Sequence, residues 1–145
     1  MKLKKLTPNL IVSDIPQTVN FYESVLGFEL KMLVPDTQDG MDVKMDASKT
    51  YVYAQMAKDE VELMFQREDS FREDIPLSIK ELSMGGLSAI YIEMSSVDDF
   101  YAEVKGKTEN VTEPKNSWYG MREFFVKDPD GCVIAFGEQV EVEAS

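Results

Sequence analysis

The chain has 145 residues, 43% hydrophobic and 29% charged, a composition that supports one domain with a buried core and excludes general disorder. Fifteen basic and 27 acidic residues give a net charge of −12, which argues against a nucleic-acid-binding protein because phosphate contacts need a basic face. No apolar run reaches the roughly 18 residues of a membrane span, and no signal-peptide core follows the basic N-terminus. We therefore expect a cytoplasmic protein without a membrane or nucleic-acid partner.

Two residue counts restrict the chemistry of the chain further. It contains one cysteine, Cys132, so no intramolecular disulfide can form. It contains no histidine, which removes the usual ligand of zinc and non-haem iron enzymes and the usual base of catalytic triads. Any metal site would have to use carboxylates, amides, the thiol or carbonyl groups.

The first half of the chain predicts a strand, a helix and three further strands. Asp14 followed by Pro16 and Gln17 is typical of a helix N-terminus, and Gly27 ends the helix. Apolar segments of strand length predict the remaining elements. The predicted strands cover residues 6–13, 28–34, 50–56 and 60–66, with a turn at Lys58-Asp59 and a polar loop at 36–49.

The second half repeats this order after a charged stretch at 67–83, which predicts a loop and a short helix around Leu77–Leu82. A strand at 87–94 precedes a helix for which Ser96 is the expected N-cap, with Asp99 three residues later. A short strand near 110–113 is followed by two strands around the turn Asp130-Gly131. Those two strands cover residues 119–129 and 132–138.

The two halves are also similar in sequence. The segments FYESVLG (21–27) and FYAEVKG (100–106) share Phe, Tyr, Val and Gly at a constant offset of 79. The same residues in the same element order indicate a duplicated unit of strand, helix and strands. We expect a single domain at 1–145, in which modules at 5–67 and 86–140 are joined by a connector with a short helix at 68–85.

Two segments carry a resemblance to a known family. IVSDIPQTVNFYESVLGFEL (11–30) resembles the opening strand and helix of the vicinal oxygen chelate superfamily, including its Leu-Gly-Phe ending, and MREFFVKDPDGCVIAFGE (121–138) resembles its final hairpin with the Asp-Pro-Asp-Gly turn. Glyoxalases, bleomycin-resistance proteins, fosfomycin-resistance enzymes and extradiol dioxygenases make up this superfamily. The resemblance implies an α+β fold of two βαβββ modules, whose curved mixed sheets surround a cavity, and commonly a homodimer.

The resemblance also identifies where metal-using relatives place their ligands. Carried onto this chain, the four positions are Thr7, Glu62, Ala89 and Ala135. Alanine cannot bind a metal, and divalent ions need several oxygen or nitrogen ligands. We therefore expect no metal site, no cofactor and no assigned catalytic residue, as in the metal-free bleomycin-resistance branch of the superfamily.

Strand alternation then predicts which side chains face the cavity. If the four ligand positions face it, an almost wholly apolar set faces the helices instead, as a core should: Leu10, Val12, Leu63, Phe65, Ile90, Ile92, Ile134 and Phe136. The predicted ligand-binding residues comprise carboxylates, amides, methionines and aromatic rings. They are Asn9, Glu62, Met64, Gln66, Tyr91, Glu93, Trp118, Met121, Glu123 and Phe125.

Carboxylates beside aromatic walls suit a cationic or aromatic small molecule. The first functional hypothesis is therefore metal-independent sequestration of such a molecule by a homodimer. The alternative is an enzyme of the same superfamily that uses Glu62 or Glu123 as a general base, or an unpredicted metal site. A third hypothesis is a housekeeping or regulatory module whose groove binds a peptide. The polar loop at 36–49 is compatible with a position closed over the cavity and with one away from it.

Overall fold

A computed structural model describes residues 1–2, 4–74 and 89–141. The chain divides into two compact units, Met1–Glu81 and Leu82–Ser145. The first unit contains strand β1, helix α1, strands β2, β3 and β4, and helix α2. These elements span Asn9–Val12, Ile15–Ser24, Glu29–Pro35, Tyr51–Lys58, Val61–Arg67 and Glu68–Asp74 respectively. Its sheet has the order β1-β4-β3-β2, in which only the β1–β4 pair is parallel.

The second unit repeats the arrangement with strand β5, helix α3 and strands β6, β7 and β8. They span Ala89–Glu93, Val97–Val104, Lys115–Asn116, Met121–Lys127 and Val133–Gln139. The sheet order is β5-β8-β7-β6, again with one parallel pair. The predicted α+β class and the two βαβββ modules are therefore confirmed, each with an open four-stranded sheet. Within the described ranges, no helix is long and apolar enough to span a membrane.

Helix α1 packs on the sheet of the first unit and forms the core together with it. The Asp14 carboxylate accepts a hydrogen bond from the Gln17 backbone N–H at 3.1 Å, which confirms the predicted cap. Tyr22 of α1 is fully buried and packs against Phe65 of β4 with ring centroids 4.6 Å apart. Because side chains alternate along a strand, burial of Leu63 and Phe65 leaves Glu62, Met64 and Gln66 on the face away from α1.

Helix α3 packs on the second sheet in the same way, but its N-terminus differs from the prediction. Phe100 lies against Phe136 with ring centroids 5.0 Å apart. Ser96 adopts a left-handed conformation (φ 58°) and its side chain makes no capping hydrogen bond. The Glu138 carboxylate instead accepts the Ser96 and Val97 backbone N–H groups, at 2.7 and 3.2 Å. Ser96 is therefore the N-cap residue as predicted, but a carboxylate distant in sequence, and not its own hydroxyl, satisfies these donors.

The Asp-Pro-Asp-Gly turn joins β7 to β8 as predicted. The Asp128 carboxylate accepts the backbone N–H groups of Asp130 and Cys132 at 3.0 and 2.8 Å. Gly131 has φ +87°, a conformation that L side chains rarely adopt. The motif therefore fixes the register of the hairpin, in which Phe125 pairs with Ala135 and Glu123 with Gly137.

Two connecting segments differ from the sequence prediction. A helix, α2, already occupies Glu68–Asp74, where the sequence predicted a loop; the helix predicted around Leu77–Leu82 lies outside the described residues. The strand predicted near 110–113 is a single bridge between Val111 and Val126, and the paired strand is β6 at Lys115–Asn116. Both segments are short and polar, so periodicity carries little information about them.

The polar loop at 36–49 is held by its own side chains. The Tyr51 hydroxyl donates to Asp42 Oδ2 at 2.7 Å, and Lys49 Nζ lies 2.9 Å from the same oxygen. These hydrogen bonds lower the pKa of Asp42. Leu33 and Asp42 also exchange two backbone hydrogen bonds of 2.8 and 2.9 Å. The loop is therefore tied to the edge of the first sheet at Asp42.

Candidate functional site

The predicted ligand-binding residues fall into two groups, one on the face of the first sheet turned away from α1 and one on the face of the second sheet turned away from α3. We call these the first open face and the second open face. The first carries Asn9, Glu62, Met64 and Gln66. The second carries Tyr91, Met121, Glu123 and Phe125, with Glu93 at the end of β5 and Trp118 in the turn before β7.

Gln66 on the first open face is a buried hydrogen-bond junction. Its side-chain oxygen accepts the Asn9 amide at 3.0 Å. Its Nε2 donates to Ser70 Oγ at 3.0 Å and to Asp74 Oδ2 at 2.7 Å. Both partners of Nε2 belong to α2, so Gln66 connects the sheet to this helix and both N–H donors of its amide are used.

Glu62 is engaged in a similar way. It forms an ion pair with Lys5, and its Oε2 accepts the Gln55 amide at 3.2 Å. The hydrogen bond and charge of Lys5 lower the pKa of Glu62. A carboxylate that acts as a general base at neutral pH needs a raised pKa. The lowered pKa of Glu62 therefore argues against the general-base role that the enzyme hypothesis considered for it.

A small pocket of about 320 Å³ lies beside Gln66. Its other lining residues were not predicted as site residues, and two of them, Ser70 and Asp74, belong to α2. The walls combine polar, aliphatic and aromatic side chains: Val34, Gln38, Val52, Tyr53, Gln66, Ser70 and Asp74. Burial raises the pKa of Tyr53, which further favours the neutral form of its hydroxyl.

The second open face is organised around the Glu123 carboxylate. Tyr119 donates its hydroxyl to Oε1 and Tyr91 donates its hydroxyl to Oε2, both at 2.6 Å. Glu123 is only 7% exposed, so the two hydroxyls stabilise a carboxylate that is largely removed from water. Burial and its hydrogen bond to Glu123 raise the pKa of Tyr91. The separate hydrogen bond from Tyr119 to Glu123 raises the pKa of Tyr119.

Gly137 makes the Tyr91 contact possible. A Cβ atom added at Gly137 would lie 2.1 Å from the Tyr91 hydroxyl and 2.7 Å from its Cζ. Since such distances are far below van der Waals contact, any side chain at this position would displace Tyr91. The missing side chain at Gly137 is what lets Tyr91 reach across β8 to Glu123.

Four aromatic side chains around Glu123 are exposed to solvent. Trp118 is 90% exposed, Tyr119 53%, Tyr91 50% and Phe125 40%. The turn that carries Trp118 is fixed, because the Ser117 backbone N–H and hydroxyl both donate to the Met121 carbonyl oxygen, at 2.7 and 2.9 Å. Exposed aromatic rings grouped around one carboxylate are typical of a binding surface.

A cavity of about 470 Å³ adjoins this group, within the range of sites for small molecules. Glu123 and Phe125 line it as predicted candidates. The opposite wall is the segment before β7, whose side chains the sequence analysis did not assign: Thr112, Glu113, Lys115, Asn116 and Ser117. Lys115 is the register partner of Glu123, a relation that becomes visible only once β6 is located.

The residues at the four implied metal positions do not fit a metal. Ala89 and Ala135 carry no donor atom, and Glu62 is engaged by Lys5 and Gln55. Across residues 1–2, 4–74 and 89–141, no group of three or more Cys, Asp or Glu side chains is placed to hold an ion. Metal independence stays a prediction that rests on this donor set.

Cys132 follows the turn glycine and is half-buried. Burial raises the pKa of its thiol to about 11. Because the thiolate is the nucleophile, this environment disfavours a nucleophilic role for Cys132 at neutral pH.

Comparisons with known proteins agree with this architecture. A family model described as "Glyoxalase/Bleomycin resistance protein/Dioxygenase superfamily" matches residues 4–136. A "Bleomycin resistance protein" of Geobacillus stearothermophilus is 30% identical over 137 residues, covering 92% of this chain and 96% of that protein. A protein of the same name from Staphylococcus aureus matches with the same identity and coverage.

Solved structures also share the fold. The bleomycin-binding protein of Streptomyces verticillus, in complex with copper(II)-bleomycin, superposes with a TM-score of 0.61. It is 20% identical, and the match covers 98% of this chain and 99% of that one. At this level of identity the likeness shows the arrangement of strands and helices.

Proposed function

Because the chain belongs to the glyoxalase/bleomycin resistance protein/dioxygenase superfamily, we propose that it binds and sequesters a small organic cation of the bleomycin type without transforming it. The observation that carries this proposal is the second open face, where four exposed aromatic side chains surround the Glu123 carboxylate. Relatives named bleomycin resistance proteins support the ligand type. The fold alone would not, since one fold hosts many functions.

The chemistry of the face favours a cationic aromatic compound. Aromatic faces attract cations and stack on planar groups. Glu93 lies opposite Gly137 in the β5–β8 register and adds a second carboxylate, whereas Lys115 adds one positive charge. The excess of acidic groups on this face and the net charge of −12 both favour a positively charged ligand over an anion.

The first test is a titration of chelator-treated protein with metal-free bleomycin and with copper(II)-bleomycin. Trp118 is the one tryptophan of the chain, so its fluorescence reports on the second open face. We expect saturable binding of both forms, followed by recovery of unaltered bleomycin in mass spectrometry. Recovery of a modified compound would instead support the enzyme alternative.

A charge-neutral variant locates the binding site. Glu123→Gln should weaken bleomycin binding about tenfold or more, because a charge-assisted contact is lost. Glu103→Gln is the matched control, since Glu103 lies on helix α3 and is exposed. Equal affinities of the two variants would place the ligand elsewhere.

Metal independence is tested separately by thermal denaturation. Ligands that bind only the native state raise the unfolding midpoint. We expect no shift with Mn²⁺, Ni²⁺, Fe²⁺ or Zn²⁺ and a shift with bleomycin. A strong, saturable metal shift would put the enzyme alternative first.

Homodimer formation and a cytoplasmic location belong to the same proposal. Light scattering coupled to size-exclusion chromatography would show a particle of about twice the 16.5 kDa chain mass if the dimer forms. A monomer at micromolar concentration would contradict the homodimer. The sequestration proposal would then still be tested by the bleomycin titrations.

A further inference from the structure

The Glu123 carboxylate retains acceptor capacity after both tyrosines are bound. Each oxygen accepts one hydroxyl, from Tyr119 at Oε1 and from Tyr91 at Oε2. A carboxylate offers about four lone-pair positions in total, so each oxygen can accept one further donor. Two free acceptors on one carboxylate match two parallel N–H groups of a planar cation, as in arginine–carboxylate pairs.

The position of Tyr91 depends on the missing side chain at Gly137. The hydroxyl end of the Tyr91 ring occupies the place of a Cβ, with the hydroxyl at 2.1 Å from that position. Half of the Tyr91 side chain stays exposed while its hydroxyl is bonded to Glu123. The ring is thereby held beside the carboxylate as a surface on which a ligand can stack.

The neighbouring row of the sheet adds a second ring. Tyr91 pairs with Ala135 across β5–β8, and Ala135 pairs with Phe125 across β7–β8. Ala135 between them is small and buried, so no large side chain separates the two aromatic residues. A flat group can contact these rings and Glu123 together, whereas a compact ammonium has no face to stack.

We propose that Gly137, Tyr91 and Glu123 form a subsite that selects a flat, delocalised cation, such as an amidinium or guanidinium group, over a compact ammonium. This inference rests on the proposed function, since it assigns the ligand class of the same face. Gly137 acts as a positioning residue through Tyr91, and Glu123 makes the contact with the ligand.

A pair of matched probes tests the selection. Benzamidinium and benzylammonium carry the same ring and the same charge, and they differ in having a planar two-pronged or a compact cation. Calorimetry or ligand-observed NMR on the full chain should give benzamidinium an affinity about tenfold higher, because its planar cation can pair with two acceptors of Glu123 while it stacks on the Tyr91 ring. Equal affinities, or a preference for benzylammonium, would overturn the inference.

Two variants test whether Gly137 and Tyr91 produce the preference for benzamidinium over benzylammonium. Gly137→Ala should displace Tyr91 and reduce the affinity ratio of the two probes to near one. Gly106→Ala is the matched control, because an added Cβ at Gly106 meets nothing within 4 Å. Tyr91→Ala should also remove the preference without adding a group at position 137.

The double variant keeps the test decisive if Gly137→Ala folds poorly. With Tyr91 already replaced by alanine, Gly137→Ala should cause no further loss of preference, because the two changes act through one contact. Independent, additive losses would overturn the inference. If bleomycin binds but neither variant changes the probe ratio, the inference fails and the proposed function stands; if no organic cation binds at all, both fail.

Discussion

The two open faces have the same strand topology and use their polar side chains differently. On the first open face, Gln66 is saturated by Asn9, Ser70 and Asp74, and Glu62 is paired with Lys5. On the second open face, Glu123 is held by two tyrosines whose rings stay exposed. The first face therefore directs its polar groups to other parts of its own unit, whereas the second combines a buried carboxylate with exposed aromatic rings.

This difference shows that residue type and strand parity do not by themselves define a binding residue. Glu62 and Glu123 are both glutamates on the open side of a central strand. Lys5 neutralises one of them, and neutral hydroxyls support the other. The two hydroxyls do not neutralise the charge of Glu123, and its positive cross-strand neighbour is Lys115 on β6. The two predicted binding glutamates therefore differ in the charge of their hydrogen-bond partners.

The largest effect should come from replacing the junction of the first open face. Gln66→Ala removes three hydrogen bonds from a residue that is 5% exposed, and we expect a loss of about 2–3 kcal/mol in unfolding free energy. Urea denaturation measures it, with the half-buried Gln55→Ala as control. If Gln66→Ala lowered the unfolding free energy no more than Gln55→Ala and also abolished bleomycin binding, Gln66 would be a binding residue. The proposed difference between the two open faces would then be wrong.

Replacing the exposed indole of the second open face should have the opposite profile. Trp118→Ala should change the unfolding free energy by less than about 0.5 kcal/mol, while bleomycin affinity falls by about 1 kcal/mol through lost stacking. Calorimetry and thermal denaturation separate the two quantities. Met41→Ala, at a side chain 68% exposed in the first unit, is the control that should leave both unchanged.

The smallest effect concerns tyrosine ionisation. The raised pKa values of Tyr91 and Tyr119 mean that folding stabilises their neutral hydroxyls. That contribution is complete below about pH 10, the unfolded pKa, and is lost as the pH rises through the folded-state values. Glu123→Gln should make two of the six tyrosines ionise at lower pH in an ultraviolet titration. An unchanged titration would show that the carboxylate does not bind these hydroxyls in solution.

The fold was predictable where short-range rules determine it. Asp14 caps a backbone group three residues away, and the Asp128 turn closes over four residues. Strand alternation separated the buried Leu63 and Phe65 from their open-face neighbours. These relations lie within a few residues, so one sequence is enough to recognise them.

The remaining part of the site depends on pairings between distant residues. Tyr91 and Glu123 are 32 residues apart, and their contact requires the β5–β8–β7 register and the absence of a side chain at Gly137. Strand parity predicted that Gln66 faces the cavity side, but it could not predict the partners of Gln66 on α2. Periodicity gives the direction of a side chain, and only tertiary structure gives its partner.

The carboxylate that caps α3 has a consequence for biosynthesis. Helix α1 carries its capping group next to its own first turn, whereas α3 takes its capping group from Glu138, 42 residues beyond Ser96. During synthesis from the N-terminus, α1 can therefore be completed as soon as it emerges from the ribosome. Helix α3 stays uncapped until the last strand has emerged and paired, so the helix and the final hairpin of the second unit form as one cooperative block.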